Sequence, residues 1–198
     1  MKKLFFLLFV LSAFISKVYS QEFNAGLSFG ISTNQVSGDN LAGFNKAGLI
    51  LGGFVNREIN PVIKAQLEMI FIQKGSANPK LENGIAEIHL DYIEAPVILI
   101  FKNSEKLNLE IGLHISALVK GYYQDIYGIM ENQIKFDRFE FGSLCGVSYT
   151  LSKKISLNTR LSNSILPIAK HASGQTYRLN RGKYNTGLCF ILKYQKTF

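Results

Sequence analysis

The sequence predicts an all-β protein, specifically an eight-stranded antiparallel transmembrane up-and-down β-barrel. Three observations support this fold class: long segments of alternating apolar and polar residues, connections that alternate between long and short, and an apolar segment at the N-terminus. Because successive side chains of a strand point to opposite faces, alternation predicts strands with one apolar face and one polar face. We interpret the apolar face as lipid-facing and the polar face as lining the barrel interior.

The clearest alternation runs from Lys106 to Lys120. Aliphatic side chains or alanine occupy every odd position inside this segment, while Glu110 and His114 lie on the opposite face, which only Leu118 interrupts. Strands in globular proteins most often have about 5–6 residues. A tilted strand that crosses a membrane needs about 9–11, so the length of this segment favours a membrane-spanning strand.

Seven further segments have the features of strands. Pro96 lies inside the fourth, and because proline has no N–H to donate to a ladder, we expect a bulge or register change near Glu94–Pro96. The predicted strands are, in order, Phe23–Ser32, Lys46–Arg57, Val62–Lys74, Ile85–Lys102, Lys106–Lys120, Phe139–Thr150, Ile155–Ile165 and Tyr184–Phe198. Long connections (33–45, 75–84, 121–138 and 166–183) alternate with short ones (58–61, 103–105 and 151–154). Outer-membrane barrels combine long extracellular loops with short periplasmic turns in the same way.

Residues 1–20 have the layout of a secretory signal peptide. Lys2 and Lys3 precede an apolar run from Leu4 to Ile15, and we expect cleavage after Ser20. The barrel domain then comprises residues 21–198, located in the cell outer membrane. Because the removed segment holds three lysines and no acids, the net charge falls from +8 to +5. The remaining positive charge is small and spread along the chain, so it does not favour nucleic-acid binding.

The two cysteines, Cys145 and Cys189, belong to different predicted strands and fall on opposite faces. A disulfide would require their Cβ atoms to lie about 3.5–4.5 Å apart, so we expect two free thiols. The sequence shows no metal-ligand spacing, phosphate loop or nucleophile elbow. We therefore predict no cofactor and no metal.

Two motifs resemble the PorT-like outer-membrane β-barrel proteins of Bacteroidota. They are Leu67-Glu68 followed by Gln73-Lys74-Gly75-Ser76, and Leu90-Asp91-Tyr92-Ile93-Glu94-Ala95-Pro96. In the family the second motif tends to read Tyr-Leu-Glu-Ile-Pro, from which Ile93 and Ala95 depart. The resemblance covers essentially the whole mature chain and implies the barrel fold without catalytic residues. The name-giving member is linked to a protein-secretion machine, a role that similarity in the barrel alone does not transfer.

Charged residues on the predicted interior face are the first candidates for a functional site. An eight-stranded barrel is just wide enough for side chains to fill it, and buried charges are found paired. We therefore expect an ion-pair network that closes the lumen; a narrow path for ions or protons is the alternative. The candidate network consists of Lys64, Glu68, Glu110, His114, Glu140 and Arg160.

Two other sets of residues are candidates for chemistry or binding. His89 and Asp91 share a strand face, but a histidine two residues from an aspartate is common by chance, so we predict no enzymatic activity. In the 121–138 connection, the candidate partner-binding residues are Tyr122, Tyr123, Tyr127 and Met130. The competing interpretation is that they fold over the barrel mouth as a plug. The basic 166–183 connection suits a solvated loop beside anionic lipopolysaccharide.

These observations predict a monomeric, non-catalytic barrel with a structural or membrane-embedded interaction role, accessory to a secretion or envelope complex. The alternatives are a small ion-conducting pore and a soluble periplasmic calycin-like barrel that binds a ligand. The expected partners are outer-membrane lipid, lipopolysaccharide, an unidentified envelope protein and the barrel-insertion machinery. The aromatic-rich C-terminus ending at Phe198 resembles the signal that this machinery reads.

Overall fold

The computed structural model describes residues 23–39, 41, 43–78, 85–131, 135–170 and 182–197 of the 198-residue chain. Their eight strands are β1 (Phe23–Ser37), β2 (Lys46–Glu58), β3 (Ile63–Ala77), β4 (Glu87–Lys102), β5 (Leu107–Gln124), β6 (Phe139–Thr150), β7 (Ile155–Ser164) and β8 (Tyr184–Thr197). Each strand pairs antiparallel with its neighbours in sequence, and β1 pairs with β8 to close the barrel. The predicted fold class is confirmed. The proposed signal peptide and Phe198 lie outside the described residues.

The two ends of the barrel differ. Three short turns connect β2 to β3, β4 to β5 and β6 to β7 at one end, where β1 begins and β8 finishes. Each turn is closed by backbone hydrogen bonds, such as the 3.0 Å bond from Ser104 N to Leu107 O and the 3.1 Å bond from Ser152 N to Ile155 O. We call this the turn end. The longer connections lie at the opposite end, the loop end.

The outer wall carries a continuous belt of exposed apolar side chains. On β5 the side chains of Leu109, Ile111, Leu113 and Ile115 are each between 41% and 62% exposed. Every other strand contributes similar residues, for example Met69 on β3, which is 69% exposed. Soluble monomers rarely expose contiguous apolar patches of more than a few hundred Å². The belt therefore indicates a wall built to contact lipid.

Small residues on the inner face make room for large ones. A Cβ atom added to Gly52 would lie 2.7 Å from Ile70 Cγ2, and one added to Gly112 would lie 3.1 Å from Ile98 Cγ1. At Gly142 it would lie 2.1 Å from Nε2 of His114. These glycines therefore allow bulky side chains from neighbouring strands to occupy the interior.

Three strands extend further than predicted at the loop end. β1 continues to Ser37, so the prediction of a loop from residue 33 was wrong for 33–37. Alternation persists there, because Val36 is fully buried and the Asn34 side-chain amide donates to the backbone oxygens of Lys46 and Gln73. Likewise, residues 75–77 continue β3 and residues 121–124 continue β5, so the prediction of loops from residues 75 and 121 was wrong for these positions.

The expected register change near Glu94–Pro96 was also wrong in position. Pro96 interrupts the β3–β4 pairing without shifting its register, and the β4–β5 ladder continues through Pro96 and His114. The shift lies between Asp91 and Tyr92, which pair with Lys120 and Leu118, so β5 contains one extra residue, Val119. Leu118, which interrupts the polar face in the sequence, pairs with buried Tyr92 before the bulge and packs against the apolar cluster of the interior. Beyond the bulge the inward positions change parity, and Tyr123 points inward.

Both cysteines are free, Cys145 exposed and Cys189 buried, as predicted. In the described part of the chain, no cluster of three or more His, Cys, Asp or Glu residues could hold a metal ion. The same residues include no helix of sufficient length and apolarity to cross a membrane.

The lipid-facing belt can be tested by placing a charge at two depths on the same face. Leu113, in the middle of the outward face of β5, is 62% exposed, and Leu107, at the turn end, is 36% exposed. Leu113→Arg should lower the free energy of unfolding by about 2–4 kcal/mol and Leu107→Arg by about 0–1 kcal/mol, because the cost of a charge depends on its depth in the bilayer. Urea unfolding in lipid vesicles measures both. Equal losses would contradict a belt centred on Leu113.

Candidate functional site

The half of the interior nearer the turn end contains a four-residue ion-pair cluster, the lower network (Glu68, Glu110, Arg160 and Lys193). The Arg160 guanidinium donates two 2.8 Å hydrogen bonds to the two carboxylate oxygens of Glu68, and its Nε donates a 2.6 Å bond to Glu110. Lys193 donates to Glu68 at 2.6 Å. All four residues are buried. Two cations therefore meet two carboxylates, and the network is neutral.

Neighbouring side chains complete the hydrogen bonding of the lower network. The Asn158 amide donates to Glu110, and the Gln66 amide donates to Glu68. Gly146 lies beside the arginine, where a Cβ atom would be only 2.9 Å from Arg160 Cγ. Buried charges are tolerated when they are paired and hydrogen-bonded, and each charged group here meets both conditions.

A second cluster, the upper network (Lys74, Glu94 and Glu140), lies nearer the loop end. Lys74 Nζ lies 2.7 Å from Glu94 and 3.1 Å from Glu140. Both carboxylates accept further hydrogen bonds from buried side chains of other strands. The donors are Ser116 to Glu94 at 2.9 Å, Ser164 to Glu140 at 2.8 Å and Asn185 to Glu140 at 2.9 Å.

His114 lies against the upper network. Its Nδ1 is 3.2 Å from Glu94 and 3.1 Å from the Ser116 hydroxyl, and the residue is 3% exposed. Because Lys74 is the one cation between the two carboxylates of the upper network, that network is negative by one charge when His114 is neutral. The imidazole therefore lies against a carboxylate of this negatively charged network.

Apolar side chains fill the space between and around the networks. A cavity of about 10 Å³ separates Glu94 of the upper network from Arg160 of the lower network, and Ile70, Leu144 and Ile191 line it. A volume of about 10–15 Å³ is the least that holds one water molecule. The described interior is therefore packed between the two networks and offers no open path there.

The loop end is closed by side chains from several connections. Tyr123 stacks on Phe136 with ring centroids 4.7 Å apart and accepts a 3.1 Å hydrogen bond from Lys183. Asp39 is buried and accepts a 2.8 Å bond from the Leu41 N–H. Burial raises the pKa of Asp39 and lowers the pKa of Lys183, while the attraction between the two charges opposes both shifts. This cap covers the upper part of the lumen.

Beyond the cap, residues 123–130 form a tight hairpin, the tip hairpin. The Met130 N–H donates to Tyr123 O at 2.9 Å, and the Asp125 carboxylate accepts bonds from the backbone N–H groups of Tyr127 and Gly128 at 2.8 and 2.9 Å. Gly128 has φ of 139°, which favours glycine. These bonds fix the turn and leave Tyr127 91% exposed at its apex.

The His89–Asp91 pair lies on the outer rim. His89 Nε2 is 2.9 Å from Asp91, and the same carboxylate oxygen accepts a 3.1 Å bond from the Gln73 amide. The His89 ring stacks on Tyr122 with centroids 4.9 Å apart. Tyr122 therefore covers the side of β4 and lies away from the apex of the tip hairpin.

The structure brings together some of the predicted interior residues but not all of them. Glu68, Glu110 and Arg160 belong to the lower network, Glu140 to the upper network, and His114 lies beside it. The prediction that Lys64 belongs to the interior ion-pair network was wrong. Its Nζ lies 3.5 Å from Glu58 at the turn end, where both side chains are partly exposed.

Three network members were missed: Lys74, Glu94 and Lys193. All three occupy inward positions of their strands, so strict alternation could have found them. Glu94 lies two residues before Pro96, where the pattern is least regular, and Lys193 lies between exposed Leu192 and Tyr194.

The proposed partner residues divide into different environments. Tyr123 is buried in the cap and Met130 packs partly against the same apolar cluster, as the plug interpretation predicts. Tyr122 packs on His89, and Tyr127 is exposed on the tip hairpin. Tyr127 is therefore the member of the four that is open to a partner.

An apolar outer wall, a charged and packed interior and short turns at one end define an outer-membrane β-barrel. The model of the family described as outer membrane protein beta-barrel domain matches residues 19–170, and the chain belongs to this family. The protein is accordingly located in the outer membrane. Barrels of this class have short periplasmic turns and longer extracellular loops, which predicts that the turn end faces the periplasm. A soluble calycin-like barrel does not fit this assignment or the outward apolar belt.

Solved structures show the same fold. The attachment invasion locus protein Ail of Yersinia pestis aligns with a TM-score of 0.53 and 12% identity over 88% of this chain and 99% of its own. Neisserial surface protein A aligns with a TM-score of 0.55 and 14% identity over 87% of this chain and 96% of its own. No curated protein sequence matches the chain. At these identities the likeness establishes the fold alone.

The lower network can be tested by a double-mutant cycle on Glu110 and Arg160, whose side chains are joined by a 2.6 Å bond. Arg160→Met should cost about 3–5 kcal/mol of unfolding free energy, because it leaves Glu110 buried without its cation. Glu110→Gln should cost less, since Arg160 keeps both bonds to Glu68. The double variant should lose less than the sum of the single losses. Urea unfolding in detergent measures the cycle, and strictly additive losses would show that the pair is not coupled.

Proposed function

We propose that this protein is a non-catalytic, non-conducting outer-membrane barrel that acts as a rigid anchor for an interaction outside the cell. The observation that carries the proposal is the packed interior, in which two charge networks and the cap occupy successive levels of the lumen. A barrel filled in this way is suited to hold a surface in place. We further propose that it acts as a monomer within lipid and lipopolysaccharide.

The charge networks favour a closed lumen and argue against a pore. Ions that crossed the barrel would have to displace the Arg160 bonds to Glu68 and Glu110, each no longer than 2.8 Å. They would also have to displace Lys74 from between Glu94 and Glu140. Breaking a buried ion pair leaves an unpaired charge and costs about 3–5 kcal/mol. An ion that crossed the barrel would meet this cost at the lower network and again at the upper network.

The closed lumen predicts that the purified protein produces no stepwise conductance in planar lipid bilayers at neutral pH. A general porin inserted into the same bilayers serves as the positive control for the recording. Discrete current steps from the wild-type protein that scale with salt concentration would overturn the proposed closure and favour the pore.

The tip hairpin is the surface that we propose binds a partner. Ile126, Tyr127 and Ile129 are 52%, 91% and 64% exposed, and they project from a turn held by hydrogen bonds to Asp125. Because the turn is already ordered, little conformational entropy is lost when a partner binds. Tyrosine is also enriched in interface cores. The partner expected here is another envelope protein with a complementary apolar pocket.

Site-specific crosslinking in whole cells tests this surface. A photoreactive residue at Tyr127 should capture one discrete protein, and the double substitution Ile126→Ser and Ile129→Ser should reduce that capture at least about fivefold, because it removes the apolar contact area. The matched control places the photoreactive residue at Lys120, which is exposed on β5 below the tip hairpin. Equal capture at both positions, or capture of the barrel alone at Tyr127, would contradict a partner site on the hairpin.

The narrower assignment to the PorT-like barrels rests on the Leu67-Glu68 and Leu90–Pro96 motifs and stays a prediction. With it we propose that the partner belongs to a secretion or envelope complex. The absence of catalysis is part of the same proposal. It is supported by the positions of His89 and Asp91, which bind Gln73 and Tyr122 on the outer rim.

A further inference from the structure

The turn end of the barrel opens into a cavity of about 340 Å³, which we call the vestibule. Its walls are formed by inward side chains of β2 to β8, and its rim by the β4–β5 and β6–β7 turns. Glu110, Asn158 and Lys193 lie at its inner limit, where the lower network separates it from the upper half of the barrel. The vestibule is therefore a blind cup that opens into the periplasm.

The charges around the vestibule do not cancel. Lys193 and Glu110 are neutralised within the lower network. Lys64 and Lys102 share one carboxylate, that of Glu58, at 3.5 and 2.6 Å. This group retains one positive charge beside the entrance.

The β6–β7 turn adds further positive charge. Lys153 and Lys154 line the vestibule from this turn, and in the described part of the chain no ion pair joins either of them to a carboxylate. Glu105 is the acidic residue on the facing turn. Across both groups, four rim lysines face two glutamates, and an excess of two positive charges remains.

Backbone hydrogen bonds order the β6–β7 turn that carries these two lysines. The backbone N–H groups of Leu151 and Ser152 both donate to Ile155 O, at 2.9 and 3.1 Å. The N–H of Gln195 donates to Lys154 O at 2.8 Å, which ties the turn to β8. The two ammonium groups therefore project from an ordered rim.

The walls are polar, and some of their side chains bond to other protein groups: Asn56 donates to Gln66 and Gln195, and Ser156 donates to Asn158. Hydroxyl groups and side-chain amides occupy the inner surface between the lysines: Asn56, Gln66, Asn108, Ser148, Thr150 and Ser156. A lysine ammonium can only donate hydrogen bonds, whereas carboxylate oxygens only accept them. A ligand that complements the excess of lysines carries several acceptors and more than one negative charge. The volume lies at the lower end of the range for ligand pockets, about 300–1,000 Å³.

We propose that the vestibule is a periplasmic binding site for a small polyvalent carboxylate, with Lys153, Lys154 and Lys64 as its main cationic contacts. The ligand comes either as a free solute or as the acidic end of a periplasmic polypeptide, since both present the same carboxylate groups. The inference depends on the orientation of the barrel and is independent of the closed lumen and the tip hairpin. It adds a second binding function at the opposite end of the molecule.

Isothermal titration calorimetry on the full-length protein in a zwitterionic detergent tests the site at low salt. The probes are citrate, a free tricarboxylate, and tri-glutamate, an acidic peptide; tri-glutamine is the uncharged control. Wild-type protein should bind at least one acidic probe and not tri-glutamine. Binding of tri-glutamate alone identifies an acidic peptide end as the ligand, and binding of citrate alone identifies a free solute.

The discriminating variant is the double substitution Lys153→Gln and Lys154→Gln, which should weaken binding at least about tenfold because two charges near the ligand are lost. The matched control is Lys120→Gln with Lys170→Gln, which removes two exposed lysines from the loop end and should leave affinity unchanged. Unchanged heat-modifiable migration verifies that each variant is folded. If both double variants weaken binding equally, the effect depends on net charge alone and the proposal is overturned. The proposal is also overturned if the wild-type protein binds neither citrate nor tri-glutamate.

Discussion

Arg160 joins three strands across the barrel, because its guanidinium on β7 binds Glu68 on β3 and Glu110 on β5. These contacts require the three strands to present their charged side chains at one level and on one face. A register slip of one residue would move every side chain of a strand to the opposite face, placing the carboxylates in lipid. The interior ion pairs and the exterior belt therefore specify the same register. A slip of strand register would disrupt both.

The filled interior limits where binding can occur. An eight-stranded barrel has just enough width for side chains to fill it, and inward glycines such as Gly52 and Gly142 allow Ile70 and His114 to cross the lumen. With the centre packed and the wall in lipid, the accessible surfaces are the two ends. The ends have opposite characters: the tip hairpin at the loop end is apolar and ordered, and the vestibule at the turn end is polar and basic.

Much of the fold could be predicted from the sequence, because the alternation in a strand such as β5 depends only on local residues. The candidate site could be predicted in part, since the inward position of Glu110 or Arg160 follows from the same alternation. The ion-pair partners of Glu110 and Arg160 could not be predicted, because the tilt and stagger of the strands determine which carboxylate lies beside which cation. Lys64 and Lys74 both occupy the inward face of β3, yet one pairs at the rim with Glu58 and the other deep in the upper network. The loop-end bulge at Val119 was hidden for a related reason, since it depends on the pairing of β5 with β4.

The ladder between β1 and β8 has a consequence for the order of folding. It joins Asn24 to Thr197 and Ser37 to Tyr184, so it pairs the first and last strands of the barrel over nearly the whole chain. Contacts of such large sequence separation form slowly, because the chain between them must be ordered first. Until β8 is in place, β1 and β7 both have unpaired edges, which attract other strands. The barrel is therefore complete only when β8 pairs with both strands, and until then these two edges need protection from other strands.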